Sequence, residues 1–230
     1  MAIDDWSTNR EDSHRRIARL DPDESRSTWW MKERSGRDSP TRRSAAVAGL
    51  RRGISPDTVR NYLSLLETVF LIGYARPWSD NLTSKIAKTS KAYLTDSGLA
   101  ANLMRVTSEG LRRPGHPALG GLAETFVFCE LTKAAAFAET AASLYHFRDR
   151  DGREVDFILE ARDGRIIAIE VKASTSPSAD ATRHLRWLRD KLGDRFVAGI
   201  MLYLGEHTLP HGDRILAMPL SALWGHASLK

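Results

Sequence analysis

Two short segments joined by a tight turn constrain this chain more than any other part of its sequence. Residues 154–160 (Glu-Val-Asp-Phe-Ile-Leu-Glu) and 166–172 (Ile-Ile-Ala-Ile-Glu-Val-Lys) each alternate with a period of two, which is typical of β-strands. The link Arg162-Asp163-Gly164 fits a three-residue hairpin loop with glycine in the left-handed conformation. The two segments therefore predict a β-hairpin.

The loop length also predicts how the two strands pair and which side chains share a face. The predicted cross-strand pairs are Glu154–Lys172, Val155–Val171, Asp156–Glu170, Phe157–Ile169 and Leu159–Ile167. One face would then be apolar, and the other would carry the charges. Cross-strand Cβ atoms lie about 4.5–5.5 Å apart, so Asp156 and Glu170 would be close enough to hold one hard cation beside Lys172. The alternative is an ordinary charged sheet face with a Glu154–Lys172 ion pair.

Asp156 followed by Glu170-Val171-Lys172 on a hairpin resembles the PD-(D/E)xK superfamily of restriction-endonuclease-like nucleases. A longer series is similar to a domain of unknown function that follows the ATPase module in prokaryotic AAA-type ATP-binding proteins. Its segments are residues 121–124, 130–131, 147–149, 152–157 and 169–174. Upstream, residues 53–59 and 91–99 resemble the winged-helix segment of those proteins. The likeness covers roughly residues 45–225.

This resemblance implies an α/β fold in which a restriction-endonuclease-like mixed sheet is flanked by helices. That domain is expected over residues 118–230, after a small winged-helix-like module over residues 41–113. Residues 1–40 are expected to be a basic, poorly ordered arm or a remnant. The resemblance also implies that Glu124, on the first helix of the domain, joins the metal site as a ligand or through water. The alternative is a glutamate favoured in a first helical turn by the helix dipole.

The ion expected at the hairpin is Mg²⁺ or Mn²⁺, held by Asp156, Glu170 and the backbone carbonyl of Val171. Lys172 would orient the attacking water and oppose the negative charge that develops on the phosphate. The expected function is metal-dependent phosphodiester hydrolysis by a DNA-associated nuclease-like protein. The alternative is a non-catalytic DNA- or protein-binding module derived from an AAA-type ATPase.

From residue 118 the periodicity predicts the order helix, strand, strand, strand, helix, strand. The predicted elements are a helix over 120–137, strands over 144–148, 154–160 and 166–172, a helix over 178–192 and a strand over 196–204. The last strand is apolar throughout, which is typical of a strand that is covered on both faces. Its connection through a helix predicts a parallel neighbour and a mixed sheet.

Residues 41–70 have the pattern of a helix-turn-helix. Ser55 is placed to cap a second helix that has Pro56 at its first position and an apolar stripe along one side. Arg60 and Asn61 face the other way, as DNA-reading side chains would. The alternative is a structural module that packs against a neighbouring domain.

Three lysines, Lys85, Lys88 and Lys91, recur every three residues and are expected to form a basic wing for DNA phosphates; a solvated surface explains them equally. The stretch from residue 10 to residue 60 holds 13 lysines and arginines against 8 acidic residues, while the remainder of the chain is neutral. This excess favours DNA as a partner. The alternative is a solvated arm.

The sequence has no Gly-x4-Gly-Lys-Ser/Thr phosphate loop, so we expect no ATP site in this chain. By resemblance it looks like the C-terminal part of an AAA-type protein, either a gene truncated at its 5′ side or a stand-alone derivative. The expected protein partners are an ATPase or a second copy of the chain. The single cysteine, Cys129, and the lack of 18 consecutive apolar residues favour a cytoplasmic protein without a membrane segment.

Overall fold

A computed structural model describes residues 55–79, 89–113, 115–176 and 178–224. Its helices are α1 (Pro56–Thr68), α2 (Ser97–Leu103), α3 (Ser108–Leu111), α4 (Leu119–Phe137) and α5 (Arg183–Leu192). Its strands are β1 (Ile72–Pro77), β2 (Lys91–Leu94), β3 (Ala142–Arg148), β4 (Glu154–Ala161), β5 (Ile166–Lys172), β6 (Phe196–Tyr203), β7 (Leu209–Pro210) and β8 (Ile215–Pro219). Short 3₁₀ turns cover Ala179–Thr182, Gly193–Arg195 and Leu220–Leu223.

The strands in these ranges form a mixed sheet in the order β2-β1-β3-β4-β5-β6-β8-β7. Strands β3, β4 and β5 are antiparallel neighbours, whereas β5, β6 and β8 run parallel. The connection from β5 to β6 passes through α5, as a parallel pair requires. The predicted α/β class, with a mixed sheet flanked by helices and a parallel last strand, is confirmed. The predicted second helix is shorter than expected, because residues 179–182 form a 3₁₀ turn before α5.

The hairpin of β4 and β5 is present with the predicted turn. Gly164 has φ 81°, the left-handed conformation that favours glycine. Phe157 pairs with Ile169, and Leu159 pairs with Ile167. The predicted register is therefore confirmed over the half of the hairpin nearer the turn.

The other half of the hairpin differs from the prediction because β4 contains a β-bulge. Tyr145 of β3 pairs with Ile158, and Phe147 pairs with Val155. An advance of two residues along β3 therefore corresponds to three residues along β4, so β4 contains one extra residue. Beyond Phe157 the paired residues of β4 and β5 end, and Asp156 does not stand opposite Glu170 in the ladder. The predicted pairs Val155–Val171 and Asp156–Glu170 are absent from the ladder, and Val155 does not share the face of Phe157, because a bulge shifts the alternation of side chains by one residue.

Two apolar cores cover the two faces of the sheet. The α5 core contains Phe147, Val155, Ile158 and the buried leucines of α5. The α4 core contains Phe157, Ile169 and the buried side chains of α4. Val155 therefore packs with Ile158 and not with Phe157, which corrects its predicted face. Strand β6 contributes to both cores, as its apolar sequence predicted.

The elements before residue 113 join this sheet. Strand β1 runs parallel to β3, and β2 pairs with β1. Tyr93 of β2 stacks on Phe128 with ring centroids 4.5 Å apart and packs against Phe157 at 5.7 Å. A Cβ on Gly73 of β1 would lie 3.0 Å from the Phe128 ring, so glycine permits this close approach. The ribbon of β1 and β2 thus packs on the α4 core.

Helix α1 begins as predicted, with the Ser55 hydroxyl accepting from the Thr58 N–H and Pro56 in the first turn. Its apolar stripe is mostly exposed, which differs from the prediction: Val59 is buried, but Tyr62, Val69 and others remain accessible. Residues 1–54, including the first helix expected in the helix-turn-helix, lie outside the described residues.

Phe157→Ala should destabilise the protein strongly, because this fully buried ring touches both Tyr93 of the upstream ribbon and Phe128 of α4. We expect a loss of about 3–5 kcal/mol of unfolding free energy in urea melts. The matched control is Phe137→Ala, at the exposed end of α4, which should change stability by less than about 0.5 kcal/mol. Equal effects of the two changes would contradict a shared core.

Candidate functional site

Three carboxylates surround the ammonium of Lys91 where β2, α4 and β4 meet. The Nζ atom lies 2.9 Å from Glu124 Oε1, 2.9 Å from Glu154 Oε1 and 3.4 Å from Asp156 Oδ1. The lysine side chain is 23% exposed, so the contacts are partly shielded from water. An ammonium has three N–H donors, and each faces one carboxylate here.

Tyr93 holds Lys91 in this position. Residues 91 and 93 lie on the same face of β2, because alternate residues of a strand point the same way. The Tyr93 hydroxyl donates to Glu124 Oε1 at 2.6 Å, while its ring is fixed in the α4 core. Burial, together with the charge of Glu124, raises the pKa of Tyr93, so the hydroxyl stays protonated and donates. The ribbon of β1 and β2 thereby places the Lys91 ammonium beside the hairpin of β4 and β5.

Asp156 lies where β4 leaves β5. Its Oδ2 accepts a hydrogen bond from the Val171 N–H at 2.9 Å. This N–H lies two residues beyond the last ladder pair, Phe157–Ile169, so the carboxylate takes the place of a backbone acceptor. The bulge and this bond together bring Asp156 beside the end of β5.

Glu170 and Lys172 lie at the end of β5. Lys172 Nζ donates to Glu170 Oε1 at 2.6 Å. Glu170 Oε2 is buried and has no hydrogen-bond partner. An unpaired buried carboxylate oxygen is costly unless a proton, a hydrogen-bond donor or a cation binds it. The predicted Glu154–Lys172 pair is absent from this site: Glu154 binds Lys91, and Lys172 binds Glu170.

The protonation of these groups reflects burial and mutual repulsion. Burial, with the charge of Glu124, raises the pKa of Asp156 to about 6. Burial, with the charge of Asp156, raises the pKa of Glu170 to about 8. Burial acts to lower the pKa of Lys91, but Asp156 and Glu124 raise it further, and the net pKa lies well above its usual value. Burial and their mutual repulsion therefore disfavour the state in which Asp156 and Glu170 are both charged, although Lys91 and Lys172 partly offset this.

The end of this hairpin carries oxygen atoms of the kind that bind a hard divalent ion. Asp156, the unpaired Oε2 of Glu170 and the carbonyl of Val171 are oxygen donors at the end of two adjacent strands. Mg²⁺ keeps several waters and is usually held by one or two carboxylates. In the part of the chain that the structure describes, no three His, Cys, Asp or Glu side chains form a group that could hold a metal ion. An ion at this place would have two carboxylates at most as side-chain ligands and would take its other ligands from water.

A cavity of about 350 Å³ opens beside this point on the α5 side, lined by Glu170, Lys172, Ser174, Ser176, Arg183 and His184 among others. Arg183 Nε donates to His184 Nε2 at 3.0 Å, which leaves the His184 Nδ1–H to donate to the Glu154 carbonyl at 2.8 Å. Helix α5 is thus tied to the start of β4.

The remaining predicted site residues lie elsewhere. Arg60 and Asn61 are exposed on α1, where the Arg60 guanidinium pairs with Asp57. Lys85 and Lys88 lie outside the described residues. Lys91 faces carboxylates, which differs from the expected phosphate-binding wing, because β2 packs on the α4 core and turns this side chain inward.

Sequence reasoning missed Tyr93 and the pairing of Lys91 with Glu124, Glu154 and Asp156. The signal was a lysine and a tyrosine two residues apart, a spacing that places both on one face wherever the segment forms a strand, as β2 does. The partners of these two side chains could not be predicted from the sequence, because the contacts join residues that are 31 to 65 positions apart.

Two family models match the chain on either side of this contact. Residues 119–223 match the domain of unknown function DUF4143, which is known from AAA-ATPase-associated proteins. Residues 35–110 match the domain of unknown function DUF8612. The carboxylates of the cluster thus lie in the first match, and Lys91 and Tyr93 lie in the second.

The chain is also similar to two curated mycobacterial proteins. They are the uncharacterized protein Rv2008c of Mycobacterium tuberculosis and the uncharacterized protein Mb2031c of Mycobacterium bovis. Each is 30% identical over 167 residues, which is 72% of this chain and 35% of the relative. The chain therefore spans about a third of the length of these relatives. No solved structure matches it.

Within the described ranges, no helix has the length and apolar character needed to cross a membrane.

Glu170→Gln should stabilise the metal-free protein at alkaline pH. The folded-state pKa of Glu170, about 8, lies above that of an unfolded glutamate, about 4.3, so the stability linked to this group is lost as pH rises between those values. In EDTA, the variant should match the wild type near pH 4 and exceed it by several kcal/mol, up to about 5 kcal/mol, near pH 8.5. The control, Glu160→Gln, removes a carboxylate that Arg195 pairs at 3.3 Å and should give no such gain. A pH-independent difference for Glu170→Gln would refute the assignment.

Proposed function

We propose that this chain is a DNA-associated, nuclease-like protein that hydrolyses phosphodiesters with Mg²⁺ or Mn²⁺ at the hairpin of β4 and β5. The observation that carries the proposal is the buried, unpaired Oε2 of Glu170, next to Asp156 and with Lys172 on the same carboxylate. The order of elements, from α4 through three antiparallel strands to α5 and a parallel strand, supports a restriction-endonuclease-like domain.

Each residue of the hairpin then has a role. Asp156, Glu170 and the Val171 carbonyl would hold the ion, and the Val171 N–H orients the Asp156 carboxylate by binding its other oxygen. A bound divalent ion would polarise a phosphodiester oxygen. Lys172 donates to Glu170, which would also bind the ion, and it borders the cavity. Its ammonium would hold the attacking water and oppose the negative charge on the phosphate.

A non-catalytic binding module is the second candidate, and one observation favours it. Lys91 already neutralises Glu124, Glu154 and Asp156, and Lys172 already binds Glu170. The cluster is therefore largely paired without a metal ion. A fully paired network supports a fold, whereas a nuclease site requires an added cation.

DNA contact is proposed from charge. Arg60 and Asn61 are exposed on α1, and the 13 basic residues from residue 10 to residue 60 exceed the 8 acidic ones. An AAA-type ATPase is proposed as a protein partner, because DUF4143 is known from AAA-ATPase-associated proteins. Self-association is the other proposed arrangement. We also propose that this chain does not bind ATP itself, since its sequence has no phosphate loop.

Asp156→Asn and Glu170→Gln should each abolish divalent-ion binding and any DNA cleavage, because each removes an ion ligand. Lys172→Met should keep ion binding and lose at least about 100-fold in cleavage, because an ammonium contributes to the transition state and not to coordination. Calorimetric titration with Mn²⁺ and cleavage of supercoiled plasmid measure the two properties.

Lys133→Met is the charge-matched control for Lys172→Met, since Lys133 is exposed on α4 and pairs with Glu130 at 2.5 Å. It should change neither property. Wild-type protein that binds no Mn²⁺ and cuts no DNA, alone or with a partner ATPase, would leave the binding module as the explanation.

DNA affinity should fall steeply with salt. Each phosphate contact contributes roughly −0.9 to the slope of log K against log salt, so Arg60→Ala should make the slope shallower by about one unit if Arg60 binds phosphate. Fluorescence anisotropy with a duplex oligonucleotide at 50–300 mM salt measures the slope. The control, Arg165→Ala, removes an exposed arginine on the hairpin turn that pairs with Asp163. Affinity that is independent of salt would exclude phosphate-dominated binding.

A further inference from the structure

One face of strand β5 changes from apolar to charged toward the end of the strand. Ile166 and Ala168 pack in the α5 core, whereas Ile169 packs in the α4 core. Because alternate residues of a strand share a face, Glu170 and Lys172 continue the face of Ile166 and Ala168. Both charged side chains therefore lie on the α5 side of the sheet, and both line the cavity there.

The α4 side of the same site is occupied by side chains of the protein. Lys91 and Tyr93 both donate to Glu124, at 2.9 and 2.6 Å, and Lys91 also contacts Asp156 at 3.4 Å. The Tyr93 ring stacks on Phe128, which joins this network to the α4 core. Among the described parts of the chain, the cavity on the α5 side is therefore the route by which a ligand reaches the end of β5.

The cavity lies at a place in the sheet where ligands commonly bind. Strands β5 and β6 run parallel and are connected through α5. In open α/β sheets, ligands bind in the crevice outside the carboxyl ends of the parallel strands, and the cavity borders that end of β5. Its volume of about 350 Å³ is at the lower end of the range for small-ligand sites, roughly 300–1,000 Å³.

Arg183, at the start of α5, is held in a fixed orientation beside the cavity. Its Nε donates to His184 Nε2 at 3.0 Å, and its Nη1 donates to Asp180 Oδ2 at 2.8 Å. His184 is itself bound to the Glu154 carbonyl at 2.8 Å. These bonds of Arg183 use two of the five N–H donors of a guanidinium. A planar guanidinium is well suited to bind two oxygens of one phosphate.

The rest of the lining also has the chemistry of a phosphate site. Its hydroxyl donors are Ser174, Ser176 and Ser178. Its two carboxylates are already paired with the cations of the cavity: Glu170 with Lys172 at 2.6 Å, and Asp180 with Arg183 at 2.8 Å. The cavity therefore combines two oriented cations with several hydroxyl groups.

We propose that the cavity between β5 and α5 binds a phosphate of a DNA strand, with Arg183 and Lys172 contacting its oxygens. This site deepens the proposed nuclease function and rests on it, because that function supplies DNA as the source of the phosphate. The strand then approaches the hairpin of β4 and β5 from the α5 side. Arg183 is a binding residue for DNA and not a ligand of the ion.

Inorganic phosphate tests the site without DNA and without metal. In EDTA, phosphate at about ten times its Kd should raise the Tm of the wild type by roughly 3–5 °C above that in chloride of equal ionic strength. Arg183→Gln should remove most of this shift. The matched control is Arg165→Gln at the hairpin turn, because both arginine side chains are 61% exposed and each pairs with a nearby aspartate. It should keep the shift.

Duplex DNA tests the source of the phosphate. In EDTA, Arg183→Gln should weaken binding by roughly tenfold, as expected for the loss of hydrogen bonds to a charged group. The slope of log K against log salt should become shallower by about one unit. Arg183→Lys, which keeps the charge, should recover part of the affinity, and Arg165→Gln should match the wild type. Fluorescence anisotropy measures the affinities, and calorimetry should show unchanged Mn²⁺ binding by Arg183→Gln.

Loss of both the phosphate shift and the DNA affinity in Arg183→Gln supports the proposal. A wild type without a phosphate shift, or an Arg183→Gln variant that keeps it, overturns the site. A lost shift with unchanged DNA affinity makes the cavity a site for free phosphate and overturns its assignment to DNA. If Arg183→Gln does not fold, Lys172→Met should lose the phosphate shift instead. Because these measurements are made in EDTA, a wild type that binds no Mn²⁺ refutes the ion site alone.

Discussion

The bond between the Val171 N–H and the Asp156 carboxylate is the contact on which the rest of the site depends. A strand that leaves its neighbour exposes backbone donors, and a buried donor needs a partner. The β-bulge in β4 turns Asp156 so that its Oδ2 supplies that partner at 2.9 Å. Strands β4 and β5 can therefore separate at their ends without leaving the Val171 N–H unpaired. Several carboxylates lie close together at this separation.

Carboxylates that lie close together in a partly buried gap require positive charge nearby. Glu124, Glu154 and Asp156 are neutralised by Lys91, and Glu170 is bound by Lys172. One oxygen of Glu170 is left over. Because buried charges are stable only when paired, this remaining oxygen is the observation that favours the proposed ion over a network that is complete in itself.

Lys91, the cation that contacts Glu124, Glu154 and Asp156, comes from a distant part of the chain. Lys91 and Tyr93 lie in the segment that matches DUF8612, whereas the carboxylates lie in the segment that matches DUF4143. The two segments also share the α4 core through the Tyr93 and Phe128 rings. Packing and charge therefore act on the same strand: the apolar contact of β2 fixes the position of its lysine.

The sequence by itself determined the local structure. Period-two alternation and Gly164 gave the hairpin and its turn, Ser55 and Pro56 gave the start of α1, and the apolar run of β6 gave a covered parallel strand. These features depend on neighbours along the chain. The bulge in β4 and the partner of Lys91 do not: a bulge arises from packing between strands, and the lysine meets carboxylates 33 to 65 residues away. Only the tertiary structure decided which charges of the hairpin share a face, because that choice depends on what covers each side of the sheet.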